Sequence, residues 1–362
     1  METSNLGITP DEALEEMTAL NKKMMRGVEL FQRIESEDIE IGPTPKEAVY
    51  EEDNLTLYHY EPTVDDPHPV PVVIVYALVN RPYMVDLQDN LSIVQKLLDR
   101  GIDLYLIDWG YPSRVDQYLT LDDYINGYID NCLDTVRERH GVDAVNVLGI
   151  CQGGVFSLCY SSLHPEKVKN LITMVAPVDF HVEATNDTGL LNTWAQNMDV
   201  DAMVEAFGNI PGDFMNFGYL LLKPFSLSFQ KYVNMVDILD DEEKLTNFLR
   251  MEKWIFDSPD QAGRAWKQFM KDFYQGNKLI KGEVEIGDRR VDLDNVTMPV
   301  LNLFAKYDHL VPPASSEALG QYVGTDDYTV ESFPAGHIGM YVSGKVQKTL
   351  PPLIADWVTA RG

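Results

Sequence analysis

Cysteine is scarce in this chain of 362 residues. Cys132, Cys151 and Cys159 are the only ones, an odd and small number that excludes a disulfide framework. No two of them stand as a CxxC pair, which argues against a zinc site. Positive charge is also short. The 29 Lys and Arg face 57 Asp and Glu, for a formal net charge of −28. That balance argues against a nucleic-acid surface, which needs basic patches, and against general attraction to anionic lipid. It keeps a chain soluble but self-repelling at low salt, and a salt-rich cytoplasm is expected to screen the repulsion. No apolar run reaches the ~18 residues of a membrane span. The opening Met1-Glu2-Thr3-Ser4 is polar and acidic and lacks the apolar stretch of a signal peptide, so the expected compartment is the cytoplasm. Internal repeats and low-complexity stretches are lacking too.

What the chain does contain is enough apolar surface for a full core, 45% hydrophobic and 10% aromatic residues, so disorder is not the expectation. Thr9-Pro10-Asp11-Glu12 reads as a capping box, and Leu14, Met17, Leu20, Met24, Val28 and Phe31 follow at helical spacing. This amphipathic helix is expected to pack on the domain; the alternative is a docking helix for a partner. Beyond the break at Gly42-Pro43-Thr44-Pro45, Val49 to Tyr60 reads as an edge strand. Val70 to Val79 reads as a strand buried on both faces. Helix patterns at 90–100, 121–140 and 152–163 then alternate with strand patterns at 102–108, 144–150 and 168–176. Such alternation calls for a parallel sheet covered by helices. It stops near Phe180 and resumes with a strand at 299–307, a helix near 315–323, a strand near 328–333 and a last helix near 353–359. The expected organisation is an N-terminal helix and linker over 1–42, an α/β core over 43–180 and 291–362, and an inserted, mostly helical cap over 181–290.

The strongest chemical signal is Gly149-Ile150-Cys151-Gln152-Gly153-Gly154, between a strand pattern and a helix pattern. It is the G-x-C-x-G form of a nucleophile elbow. The turn is so tight that its flanking residues must be small, and it pushes the central side chain out at the carboxyl end of the sheet. The helix start brings backbone N–H groups and a positive dipole end beside the sulfur, which favours a thiolate. Cys132 and Cys159 lie inside helix patterns and read as packing residues. A thiol nucleophile needs a base, and the fold predicts the chain order nucleophile, acid, histidine. Asp308, just past the strand ending at Tyr307, and His337, in the loop Pro334-Ala335-Gly336-His337-Ile338-Gly339, satisfy that order. Asp179 is the rival acid, and His309 reads as a loop residue pointing away from Asp308. The oxyanion is expected to meet the backbone N–H of Gln152 and that of a residue near Val79 and Asn80. Their side chains are nearly irrelevant to that role.

The elbow, the stretch Leu106-Ile107-Asp108-Trp109-Gly110-Tyr111-Pro112, the segment from Tyr76 to Gln88, and the segment from Glu252 to Gln261 together resemble the catalytic subunit of a class III polyhydroxyalkanoate synthase. With the stretches around Asp308 and His337, the resemblance runs from about residue 50 to the end. The main departure is the acidic composition. The resemblance implies an α/β-hydrolase fold with a mainly parallel central sheet and a helical lid. It also implies polymerisation of (R)-3-hydroxyacyl-CoA, often 3-hydroxybutyryl-CoA, into polyester with release of CoA. His337 would deprotonate Cys151, an acyl-Cys151 intermediate would form, and a 3-hydroxyl would attack it. His337 oriented by Asp308 could activate that hydroxyl, or Asp308 could act on it more directly. The lid must exclude water, and Trp194, Phe214, Phe217 and Trp254 are candidates to line an apolar path. No metal or organic cofactor is implied, since CoA is part of the substrate. A second, non-catalytic (PhaE-type) subunit, association between catalytic subunits, and attachment to polyester granules are implied. Two rivals remain open at the level of sequence: a cysteine hydrolase of the same fold, similar to dienelactone hydrolase, and a non-catalytic granule scaffold.

Overall fold

A computed structural model describes residues 10–33, 39–183, 185, 188–225 and 230–362. The centre is an eight-stranded sheet. Its strands are β1 (Lys46–Glu52), β2 (Leu55–Tyr60), β3 (Val72–Val75), β4 (Leu104–Asp108), β5 (Val145–Ile150), β6 (Val168–Met174), β7 (Val300–Ala305) and β8 (Tyr328–Phe333). They lie in the spatial order β1-β2-β4-β3-β5-β6-β7-β8. β2 is antiparallel to both neighbours, and β3 to β8 run parallel.

The single edge strand expected over Val49 to Tyr60 is therefore a hairpin. Asp53 adopts φ 51°, a left-handed conformation that Asp tolerates better than most residues, and Asp53-Asn54 reverses the chain. The run from Val70 to Val79 is extended only from Val72 to Val75. Its four strand residues are buried and alternate in destination. Val73 and Val75 enter the core that holds Phe156 and Leu158, while Val72 and Ile74 enter the one that holds Leu97 and Leu301. A strand between two cores must be apolar on both faces, which explains the unbroken run.

Helices α1 (Pro10–Arg33), α2 (Ile93–Leu98), α3 (Asp130–His140) and α4 (Gln152–Leu163) accompany the first six strands. α2 is capped by the Ser92 hydroxyl accepting from the Gln95 N–H at 2.9 Å, and α3 ends at Gly141 with φ 63°. The segment before α3 is wound as a π-helix over Asp123–Ile129. Between β6 and β7 come α5 (Leu190–Gln196), α6 (Val200–Phe207), α7 (Gly212–Leu222), α8 (Lys231–Met235), α9 (Glu242–Phe256) and α10 (Gly263–Phe269). None of this segment joins the large sheet. α11 (Pro313–Glu317), α12 (Gly339–Val342) and α13 (Val346–Thr359) close the chain.

The N-terminal helix begins at Pro10; Thr9 and the side chains of Val28 and Phe31 lie outside the described residues. Leu14, Met17, Leu20 and Met24 are exposed rather than packed. Lys23 reaches the Asp237 carbonyl at 2.8 Å and the Asp240 carboxylate at 3.7 Å. The expectation that this stripe packs on its own domain does not hold for those four side chains. No helix among the described residues is long and apolar enough to cross a membrane.

Candidate active site

Strand order reverses around β3. The chain leaves β3 for β4 on one side and reaches β5 on the other. In open α/β sheets the crevice beyond such a switch point collects ligands. Cys151 sits there, between β5 and α4, with φ 55° and ψ −121°. That strained backbone is held from both sides. The Cys151 N–H donates to the Met174 carbonyl at 2.9 Å, and no room exists beside the turn. A Cβ at Gly149 would lie 2.5 Å from the Ser157 hydroxyl, and at Gly153 only 2.2 Å from the Val75 carbonyl oxygen. At Gly154 it would meet the Ala176 Cβ at 2.5 Å. The glycines of the motif are thus steric requirements. Cys132 and Cys159 are fully buried in the core, as packing residues are.

Pairing between β7 and β8 continues past both strands. Lys306 N–H donates to the Phe333 carbonyl and Tyr307 N–H to that of Ala335, at 2.8 and 2.9 Å. This carries Asp308 to His337. The Asp308 Oδ2 and His337 Nδ1 are 2.7 Å apart, with Asp308 1% and His337 5% exposed. Asp308 Oδ1 accepts from the N–H groups of Leu310 and Val311 at 2.9 and 3.0 Å. The other edge of His337 interacts with the Cys151 sulfur. Burial pulls the His337 imidazolium down, but the Asp308 carboxylate and then the Cys151 sulfur oppose it, and the net direction is well above the ordinary histidine value. Asp179 is engaged elsewhere, accepting from the His181 N–H at 2.9 Å and from Asn277 Nδ2 at 2.8 Å. His309, expected as a loop residue pointing away from Asp308, is half-buried in the wall of the same cavity, where burial and then Lys223 lower its pKa.

The N–H groups of Gln152 and Val79 donate to no acceptor among the described residues, and both residues line the cavity with Cys151. The Gln152 side chain is not irrelevant: its Oε1 accepts from the Leu78 N–H at 3.1 Å and so fixes the loop that presents Val79. Beside it, Asn80 takes φ 58° and its Nδ2 donates to the Trp254 and Ile255 carbonyls at 3.2 Å and to Ser258 Oγ at 3.1 Å. Trp254 Nε1 returns a bond to the Arg81 carbonyl at 2.8 Å. Asp257 accepts from Tyr83 at 3.0 Å and Tyr111 at 2.6 Å, while Arg81 pairs with Asp108 at 2.8 Å. Trp109 Nε1 donates to the Tyr76 carbonyl at 2.9 Å. Three of the segments that carry the family resemblance, 76–88, 106–112 and 252–261, therefore meet around one loop and tie it to the insertion.

Together these elements line a largely apolar cavity beside Cys151, with a volume of about 200 Å³. The insertion supplies Leu191, Met215, Trp254, Trp266, Phe269 and Met270 to it. Of the aromatics expected along an apolar path, Trp254 is there. Trp194, Phe214 and Phe217 are exposed on the outside instead, because periodicity alone does not say which face of a short helix turns inward. Sequence reasoning also missed Tyr76, Tyr219, Tyr274 and Tyr341, all in the cavity wall and all in electrostatic contact with Cys151. Nothing in their local patterns marks them.

A family described as alpha/beta hydrolase fold matches residues 70–343, and one described as the N-terminus of poly-beta-hydroxybutyrate polymerase matches residues 13–97. The chain is 60% identical to the poly(3-hydroxyalkanoate) polymerase subunit PhaC of Synechocystis sp., over 97% of its own length and 94% of that protein. The chain belongs to the poly(3-hydroxyalkanoate) polymerase subunit family. The PhaC subunit of Allochromatium vinosum is 57% identical, over 98% of this chain and 99% of its own. Among solved structures, a Mycobacterium tuberculosis protein described as a non-heme bromoperoxidase, BpoC, aligns with a TM-score of 0.53. It covers 87% of this chain and 99% of its own at 13% identity, a likeness of fold alone. The α/β-hydrolase fold of the family is the one seen here, with its mainly parallel sheet.

Proposed function

We infer that this chain is the polymerising subunit of a poly(3-hydroxyalkanoate) synthase. It transfers the acyl group of a 3-hydroxyacyl-CoA, with 3-hydroxybutyryl-CoA as the first substrate to try, onto a growing polyester and releases CoA. The observation that carries this reading is the buried Asp308–His337 pair beside Cys151, in a chain of this family, under an apolar roof.

The Cys151 thiol gives its proton to His337 Nε2, and the thiolate attacks the thioester carbonyl. The tetrahedral oxyanion is received by the N–H groups of Gln152 and Val79. The CoA sulfur departs with the proton held by His337, and an acyl-Cys151 thioester remains. Exchange of one thioester for another is nearly balanced in energy, so the acyl group stays activated; a serine would hold it as a more stable oxygen ester. The 3-hydroxyl of a monomer or chain end then passes its proton to His337 and attacks the acyl-Cys151 carbonyl; the carbonyl–sulfur bond breaks, the Cys151 sulfur leaves and takes that proton back, and the polyester is longer by one ester bond. Both Asp308 oxygens are occupied, one by His337 and one by two N–H groups. That favours Asp308 as the orienting group over direct action on the hydroxyl. The apolar walls keep water from competing. The thioester brings its own activation, so the reading assigns no metal or organic cofactor.

A second, non-catalytic subunit, self-association and contact with polyester granules belong to the same reading. They are supported by exposed apolar side chains on α1 and on the insertion, such as Met17 and Phe225, the latter 81% exposed. The test is CoA release from (R)-3-hydroxybutyryl-CoA with separation of products, for wild type and Cys151→Ala, at low and high salt, with and without the second subunit. Polymer and free CoA, both lost in the variant, are expected. Free hydroxy acid without polymer would make the protein a hydrolase, and failure of a thiol-directed probe to label Cys151 would leave a scaffold.

A further inference from the structure

Two phenols in the cavity take no part in the steps above. Tyr219 lies on α7 and Tyr274 on a π-helical turn, Met270–Gln275, that continues α10. The Tyr274 ring is held edge-on to Phe180 at 4.9 Å and to Phe269 at 5.9 Å between centroids. Tyr219 packs on the small core of Ile210, Met215 and Trp266. Packing thus fixes the rings, while neither hydroxyl bonds to any described side chain and both rings face the same cavity as Cys151. By contrast, Tyr83, Tyr128 and Tyr160 each donate to a carboxylate. The apolar surroundings push both cavity phenols above the ordinary tyrosine range, so they are neutral donors near pH 7. A phenol that faces a cavity and has no partner in the fold can donate to a polar atom held there, and π-helical turns are frequent at functional sites.

We propose that Tyr219 and Tyr274 are specificity-determining residues that donate hydrogen bonds to the oxygens of the acyl group on Cys151. These are the 3-hydroxyl of a single unit, or the ester oxygens made from it in a growing chain. The other cavity walls are mostly apolar, and an apolar wall accepts a 3-hydroxyacyl group and a plain acyl group of equal length almost alike. Discrimination between them needs polar groups built for the extra oxygen. The proposal rests on the polymerase reading and adds to it the residues that read the oxygen.

Its test compares the first burst of CoA release from (R)-3-hydroxybutyryl-CoA and from butyryl-CoA, for wild type, Tyr219→Phe, Tyr274→Phe and the double variant. Phenylalanine keeps the ring and its packing. The ratio of the two rates does not depend on how much of a preparation is folded, since both thioesters meet the same active enzyme. Wild type is expected to prefer the hydroxylated thioester, and each variant to lower that preference by roughly tenfold, as for the loss of one hydrogen bond. An unchanged ratio, or equal losses on both thioesters, makes the phenols packing groups and overturns the inference alone. A wild type that releases CoA from neither thioester overturns the polymerase reading, and this inference with it.

Discussion

At the level of single residues, the site depends on which nitrogen of His337 carries which proton. Asp308 accepts at Nδ1, which leaves Nε2 for the sulfur. Asp308→Asn keeps the shape but replaces the acceptor by a group that can donate, so the ring can be held in the wrong tautomer. We expect acyl transfer to fall by on the order of 10²–10⁴-fold, read as CoA release, with the fold intact by circular dichroism. The raised His337 value also has a sign in stability. The folded protein binds that proton more tightly than the unfolded chain, whose histidine titrates near ~6.5. The stabilisation is complete below that pH and is lost as pH rises through the higher folded value. The Tm excess of wild type over His337→Gln is therefore expected to shrink from pH ~6 upward. A difference constant with pH would mean that the pair does not titrate with folding.

The elements differ in how openly they announce themselves. α4 and β8 are found at the residues their patterns predict, because each is bounded by strong signals, the elbow before α4 above all. α13 begins at Val346, well before the expected start, since Pro351 and Pro352 read locally as a break. The structure places them in the middle of a helix whose buried face, including Leu350, Ile354 and Trp357, offsets the lost N–H bonds. The loop after β3 shows the opposite case, an element with no pattern at all. Its conformation is set by partners distant in sequence, above all Asn80 bonding to the end of α9. Asn80→Gly tolerates the positive φ and removes only the side-chain bonds. We expect CoA release to fall by about tenfold or more, as the Val79 N–H loses its aim, with a Tm drop of a few degrees. An unchanged rate would show that the loop needs no tie to the insertion.

For the whole molecule, charge is the dominant feature. A net charge of −28 on one folded chain costs stability through self-repulsion, and salt screens it over a Debye length that falls from ~30 Å at 0.01 M to ~3 Å at 1 M. The Tm is expected to rise steadily across that range in a calorimetric scan. A Tm as high without added salt would show that the charges are already balanced by their arrangement. Arginine and lysine pairs such as Arg81–Asp108 and Lys167–Asp130 compensate locally, but carboxylates outnumber them.

By itself the sequence determined the α/β alternation, the elbow and the order of Cys151, Asp308 and His337. Each of these is local: a period of two or 3.6, a glycine that no larger residue can replace, or a loop at a strand end. Only tertiary structure decided that Asp308 rather than Asp179 meets His337, that His309 lines the cavity, and that Trp254 lines it while Trp194 does not. Those choices rest on contacts between segments far apart in the chain, and the same local pattern is compatible with either outcome. The phenols around Cys151 make the point most plainly. Tyr76, Tyr219, Tyr274 and Tyr341 come from four separate loops and helices, and a tyrosine becomes part of a site through what the fold brings beside it.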